Sequence, residues 1–305
     1  MTAPAANRNR RGRGGGPLSG EGRWALLFLA PTILGLVVLS AGPILATIAI
    51  SLTKWDLLRA PQLVGLDNFV DLASDDRFLL ALRNTAFYTV VSVPLGMVIS
   101  LGLALALNQT IRGIAWIRTA YFLPVVTSTI AIALVWQWIY SPDSGLLNQF
   151  LATFGIAPQR WLSNSTLVMP AIVVMSVWQG LGTNIIIFLA GLQAIPGELL
   201  DAASVDGAGR WARFRNVVLP LLTPSIFFTG VLSLIDSFQV FDQVFVLSRP
   251  RPTDATITVV YFIYENGFKF FKMGYASAAS WVLFVIVAVF TTIYFRSQNR
   301  WVHYQ

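Results

Sequence analysis

Over 305 residues the chain is 55% apolar and only 11% charged, carries a net charge of +7, and contains no cysteine and one histidine. An ordinary soluble domain has about 25% charged residues, so a water-soluble globule is excluded and a bilayer is the solvent this composition fits. Disulfide staples and cysteine nucleophiles are excluded as well, and His303 alone cannot make a metal site or an oriented general base.

Residues 1–23 are rich in Arg, Gly, Asn and Ala and hold no large apolar group between Met1 and Leu18, so they read as a disordered basic tail. Beside a membrane helix, the partner of such a tail is anionic lipid and not nucleic acid. Beyond it, the gaps between charges count the spans. Residues 24–53, 84–111, 119–142, 161–197 and 273–295 are free of charge, and each is longer than the roughly 20 residues a helix needs to cross the hydrocarbon core. A sixth apolar stretch, from about Leu221 to Leu247, carries only Asp236 and Asp242. The expected fold is therefore all-α and polytopic, with six transmembrane helices near 24–50, 84–107, 119–140, 166–192, 221–247 and 276–296. They make up a membrane domain over 24–296, followed by a short C-terminus at 297–305. The first apolar run far exceeds the core of a cleavable signal peptide and reads as a retained anchor. Twelve of the 21 basic residues fall on the side of the tail, which places both termini in the cytoplasm and the chain in the cell membrane. The outer loops 51–83 and 141–165 are expected to fold as small surface helices. Trp136, Trp138 and Tyr140, at a span end, are expected to form an interfacial belt.

Catalytic chemistry has no foothold. The sequence contains no GxxxxGK[ST], HExxH or GxSxG pattern, so no catalytic residue, metal ligand or bound cofactor is assigned to this chain. Any energy source must come from a partner. The loop 193–220 is where a partner has something to hold. Pro196-Gly197 is expected to stop the fourth membrane helix, and Glu198 and Asp201 then put negative charge in the first turns of a new short helix over 198–206, where its dipole favours them. Leu199, Leu200, Ala202, Ala203 and Val205 give that helix an apolar side. Gly207 supplies the left-handed stop. A second helical stretch with Arg210, Arg213 and Arg215 runs to Leu219-Pro220, where proline can open the fifth membrane helix. On pattern alone, a loop lying on the bilayer surface would look much the same.

The spacing Asp201-Ala202-Ala203, three residues, Gly207, nine residues, Val217, one residue, Leu219-Pro220 resembles the EAA loop of the inner-membrane permeases of binding-protein-dependent ABC importers. Asp201 stands for the usual Glu and Val217 for the usual Ile. Further resemblance lies in VGLDNFVDL at 64–72, RNTAFYTVVSVPLG at 83–96, RTAYFLP at 118–124 and SFQVFDQVFVL at 237–247, and it points to the carbohydrate-type permeases. One local departure is Ser248-Arg249-Pro250-Arg251-Pro252, where relatives have a Gly-Gly-Pro turn. The resemblance implies a type I ABC importer permease fold and a helix 198–206 that docks on an ATPase subunit. It also implies a second, homologous permease as heterodimer partner, two copies of the ATPase, which use ATP and Mg, and an extracytoplasmic solute-binding protein. The cargo it implies is a sugar, polyol or oligosaccharide.

Residues that would line the path are polar groups inside the spans. Asp236, Gln239 and Gln243 stand at i, i+3 and i+7 and would share one helix face, with Ser233 and Ser237 nearby. Ser176, Gln179 and Thr183 are spaced alike on the fourth span, beside Trp178 and Asn184. Thr85, Thr89, Ser92, Gly96 and Ser100 on the second read as a packing face. A mid-membrane carboxylate costs about 2.5–3.5 kcal/mol on insertion scales, which makes Asp236 a functional-site candidate. A proton-coupled carrier using Asp236 and Asp242 is the alternative, and it would need neither an ATPase nor a docking loop. A membrane-embedded enzyme would need a catalytic constellation that the sequence does not offer.

Overall fold

The structure, a computed structural model, describes residues 20–109, 113–248 and 254–302. The tail before residue 20, the departure at Arg249–Pro252 and His303 lie outside the described residues. The chain divides into a first unit ending at Ala49 and a second beginning at Ile50.

The first unit is one helical rod. Helix α1 (Gly20–Leu36) passes through a π-helical turn (Val37–Ala41) into α2 (Gly42–Ser51), and the 28 residues from Trp24 to Ser51 are long and apolar enough to cross a membrane. Helix therefore begins at Gly20, inside the segment that composition reads as tail.

In the second unit, a two-stranded antiparallel pairing of β1 (Thr53–Lys54) and β2 (Gln62–Leu63) follows, where only helices are expected from sequence. The connecting turn forms because the Asp56 carboxylate accepts hydrogen bonds from the backbone N–H groups of Arg59 (2.9 Å) and Leu58 (3.1 Å). The Arg59 bond, first among these causes, holds the carboxyl below the usual range. The short helix α3 (Asp67–Ser74) packs behind this turn, its buried Asn68 donating to the carbonyls of Ser51 and Thr53. Helix α4 (Asp76–Leu107) then starts eight residues before the expected Asn84. Its N-cap explains the difference: the Asp75 carboxylate accepts from the N–H groups of Arg77 (2.8 Å) and Phe78 (3.1 Å). A charged first turn extends the helix beyond the charge-free stretch.

The expected third span, 119–140, is two helices. α5 (Ile114–Val126) and α6 (Thr129–Ile139) meet at a bend of 103°. Thr127 and Ser128 are both extended, and the Thr127 hydroxyl donates to the Leu123 carbonyl (2.9 Å), supplying the bond that the broken helix no longer gives. The pair still joins opposite ends of the bundle. The Arg118 guanidinium donates to the carbonyl of Leu107 at the end of α4, whereas the Tyr140 hydroxyl donates to the carbonyl of Ala171 near the start of α8 (Val168–Gln193). Between them, the loop helix α7 (Leu146–Ala152) is fixed by Asn148, whose amide bonds Gln159 and Trp161. Tyr140 is buried and Trp136 packs edge-on against Trp178, so of the expected aromatic belt only Trp138 is exposed.

Helix α8 ends at Gln193, three residues before Pro196, so Pro196-Gly197 opens the next helix and does not close this one. α9 (Gly197–Val205) and α10 (Arg210–Arg213) follow. α10 runs through a π-helical turn (Phe214–Val218) into α11 (Leu219–Phe238), so Pro220, in the first turn of α11, lies inside a run already helical from Arg210 and does not open it. α11 stops at Phe238, not near Leu247. The Thr258 hydroxyl donates to the freed Val240 carbonyl, and Phe241 turns into an aromatic cluster with Phe245, Tyr261 and Tyr264. α12 (Asp242–Leu247), α13 (Val259–Tyr264) with its π-helical turn (Glu265–Lys269), and α14 (Met273–Ser297) complete the chain.

Four helices of the second unit, α4, α8, the run Arg210–Phe238 and α14, are long and apolar enough to cross, and the bent pair adds a fifth crossing if it counts as one span. At the end where α4 begins, Arg77 pairs with the buried Glu265, the Tyr275 hydroxyl donates to Asp75, and Asn84 donates to the carbonyls of Asp254 and Ile257. The centre is the α4–α8 contact. There Gly96 of α4 lies opposite Val177 and Asn184 of α8.

Candidate functional site

Two cavities with a shared lining, the first with Val93, Val177, Leu232 and Ile235 among its walls and the second mainly polar, open between α4, α8 and the end of α11. The first, of about 440 Å³, is bounded by Tyr88, Ser92 and Gly96 of α4, Ser176, Gly180, Thr183 and Asn184 of α8, and Ser233, Asp236, Ser237 and Gln239. The second, of about 340 Å³, shares Tyr88, Ser176, Gly180, Thr183, Asp236 and Gln239 with it and adds Thr129, Gln179, Asp242 and Gln243. Amide, hydroxyl and carboxylate groups thus converge from five elements, α4, α6 (Thr129), α8, α11 and α12, onto these adjoining spaces.

The geometry that gathers them differs from a single helix face. Asp236 occupies the last turn of α11, Gln239 follows its end, and Gln243 belongs to α12, so the i, i+3, i+7 stripe is not one face of one helix. Although the helix breaks after Phe238, Asp236, Gln239 and Gln243 still face a common space. The α8 residues behave differently from one another. Gln179 donates to the Thr129 hydroxyl (3.0 Å), which pins the start of α6 to α8. The Ser176 hydroxyl donates back to the Ile172 carbonyl, and Thr183 is exposed to the cavity. Ser237 is buried and donates to the Thr89 hydroxyl (3.0 Å), so it joins α11 to α4. Along α4 the small polar face is divided by depth. Thr85 accepts from the N–H of Val259 and is structural, whereas Ser92 and Gly96 line the cavity. Tyr88, Gly180 and Thr129 are lining residues that sequence reasoning missed; in an apolar span an aromatic such as Tyr88 carries no signal that separates lining from packing.

At the opposite end of α8 and α11 stands the loop that joins them. α9 closes in a Schellman motif: the N–H of Ala208 donates to the Ala203 carbonyl (2.9 Å) and that of Gly207 to the Ser204 carbonyl (3.1 Å), with Gly207 at φ +78°. Glu198 lies in the first turn and Asp201 one turn on, both exposed. Leu199, Ala202 and Val205 follow at steps of three on one face and are exposed, Val205 at 88%, while Ala203 is half-buried. Arg213 donates to the Ser204 hydroxyl (2.8 Å), so α10 braces α9. Val217, Leu219 and Pro220 lie half-buried where the π-helical turn passes into α11. Just above the loop, α8 and α11 touch closely: a Cβ at Gly191 would collide with the side chains of Ser225 and Leu222.

The model of the family described as "Binding-protein-dependent transport system inner membrane component" matches residues 92–302. The chain is 38% identical over 283 residues to the probable ABC transporter permease protein YesP of Bacillus subtilis (strain 168), covering 91% of each chain. It is 30% identical over 273 residues to the probable starch degradation products transport system permease protein AmyD of Thermoanaerobacterium thermosulfurigenes, covering 90% of this chain and 93% of that one. Its fold matches the crystal structure of a bacterial ABC transporter involved in the import of the acidic polysaccharide alginate, with a TM-score of 0.81, 25% identity, and 92% and 96% of the two chains covered. The chain belongs to the family of inner-membrane components of binding-protein-dependent transport systems, as a multi-pass ABC permease.

Proposed function

We propose that the chain forms one half of the path by which an ATP-driven importer carries a saccharide or related polyol across the cell membrane. A single observation carries this reading: two of the helices that wall the cavities, α8 and α11, are the two that flank the braced loop. A push on α9 therefore reaches both helices through short links, residues 194–196 to α8 and residues 206–209 to the helical run Arg210–Phe238. The seat of α9 is a cleft of a partner ATPase, with one ATPase copy on this chain and a second on a homologous, non-identical permease. ATP and Mg belong to those ATPases, and this chain binds no cofactor of its own. The binding protein supplies cargo at the other face and favours the outward-open state, so each partner stabilises one of two conformations and the cycle is driven by their alternation. Amides, hydroxyls and carboxylates in a water-accessible cavity can exchange hydrogen bonds with sugar hydroxyls as they exchange them with water, which suits passage better than tight retention.

Replacing Asp236 or Gln239 by Ala removes such contacts without touching a helix interface. The expected outcome, in vesicles holding the complete importer and its binding protein, is a fall in saccharide uptake of about tenfold or more, equivalent to losing one hydrogen bond to a charged or polar group. Basal ATP hydrolysis stays as in the wild type. Unchanged uptake by both variants would assign these residues to packing.

Both termini, together with the loop 193–220, face the cytoplasm in this reading. Single cysteines at Ser163 and Asn299, both exposed and separated by α8, α11 and α14, are expected to react with an impermeant thiol reagent from opposite sides, Ser163 from outside. The cysteine-free background makes the signal unambiguous. Reaction of both from one side would contradict the crossing of these three helices.

A further inference from the structure

The cavity has a sign. The two adjoining cavities are lined by two carboxylates, Asp236 in both and Asp242 in the second, and among the described residues by no lysine, arginine or histidine. The remaining polar groups are hydroxyls and amides, which carry no net charge. Walls of low polarizability strengthen the field of such carboxylates over what the same charges would produce in open water.

We infer that this half of the path selects by charge, admitting uncharged or amino-bearing saccharides and opposing those that carry uronate, sulfate or phosphate groups; the inference rests on the saccharide reading above. Hydroxyls of a neutral sugar can donate to Asp236 and Asp242 in short charge-assisted bonds. An ammonium group gains directly. An anionic group has no basic partner on this chain and must pass both carboxylates. The cargo class would therefore differ from that named for the alginate importer, whose permease shares this fold.

Thr183, exposed at the wall common to both cavities, offers a reporter in a chain without cysteine. Thr183→Cys is placed in the complete importer, and its rates of modification by a trimethylammonium-bearing and a sulfonate-bearing methanethiosulfonate are compared with the rates for a free thiol in solution. The complex with the wild-type chain serves as the blank. The normalised preference for the cation is expected to be about tenfold and to disappear when Asp236→Asn and Asp242→Asn are added. No preference, a preference for the anion, or a preference that survives both substitutions would overturn the proposal, as would a thiol that reacts with neither reagent in any nucleotide state. Uptake of a neutral oligosaccharide and of its uronic-acid counterpart by the same vesicles separates the two levels. Entry of the neutral sugar alone is expected. Equal entry of both overturns the charge selection and leaves the saccharide reading standing, whereas entry of neither overturns the saccharide reading itself.

Discussion

Gly207→Val is expected to leave the protein inserted and paired with its sister permease while substrate-stimulated ATP hydrolysis and uptake both fall to near background. Gly207 sits at φ +78° and closes the Schellman motif of α9. A β-branched residue resists that conformation by about 1–2 kcal/mol or more, and the motif relaxes by unwinding the last turn of α9 or by swinging it. Either movement takes Leu199, Ala202 and Val205 off the plane they share. Ala203→Asp reaches the same result by another route, since it puts an unpaired charge beside an apolar contact. Nothing lies within 4 Å of the position a Cβ would take at Gly207, so a loss of coupling would come from backbone strain and not from a clash. Gly207→Asn, which tolerates the left-handed region better than valine, is expected to recover part of the activity.

Gly182→Ala is expected to be at least as damaging, by a different mechanism. Its added methyl would overlap the carbonyl oxygen of Tyr121 and crowd Val125. The obstacle is backbone, so no change of rotamer relieves it. α5 must shift away from α8, and overpacking of this kind costs about 1–3 kcal/mol. That shift also disturbs the Gln179–Thr129 bond that holds the rest of the bent pair. The measurement is assembly of the proposed importer complex and its thermal stability in detergent, both expected to drop. Gly102→Ala in α4, where nothing lies within 4 Å, serves as the control and is expected to be tolerated.

Charge gaps locate the crossings because a charge in hydrocarbon is costly, and they fail where helix extends past the hydrocarbon. α4 begins at Asp76, on charged residues, because its cap at Asp75 and the Arg77–Glu265 pair belong to the loop end of the bundle. The bend at Thr127–Ser128 is silent in hydropathy: Pro124 is a hint, but the deciding bond, from the Thr127 hydroxyl to Leu123, satisfies a carbonyl that hydropathy cannot see. The stop at Phe238 depends on Thr258, which donates to Val240 from 18 residues further along the chain. For the same reason the i, i+3, i+7 reading of Asp236, Gln239 and Gln243 assumed a helix that does not continue, although these residues do meet at the cavity. The loop was more legible than the path. Its motif is local, with cap, glycine and proline close in sequence, so spacing alone carries the geometry. The cavity is made by α4, α8, α11 and α12 together, and no single segment announces it. Tyr88 and Gly180 line it without any pattern of their own.

The central claim is that α9 is the joint through which force arrives, and cysteine cross-linking between α9 and the ATPase tests it most directly. With Val205→Cys as the sole cysteine of this chain, and single cysteines placed along the permease-facing cleft of the ATPase, a short bifunctional reagent is expected to join the two subunits in high yield in the assembled importer. The cross-link is expected to arrest uptake, to be released with recovery of uptake when it is reduced, and to weaken when Gly207→Val is added. If Val205→Cys in an assembled, transporting complex joins no ATPase position and is protected only by lipid, then α9 lies on the bilayer and the coupling account is wrong.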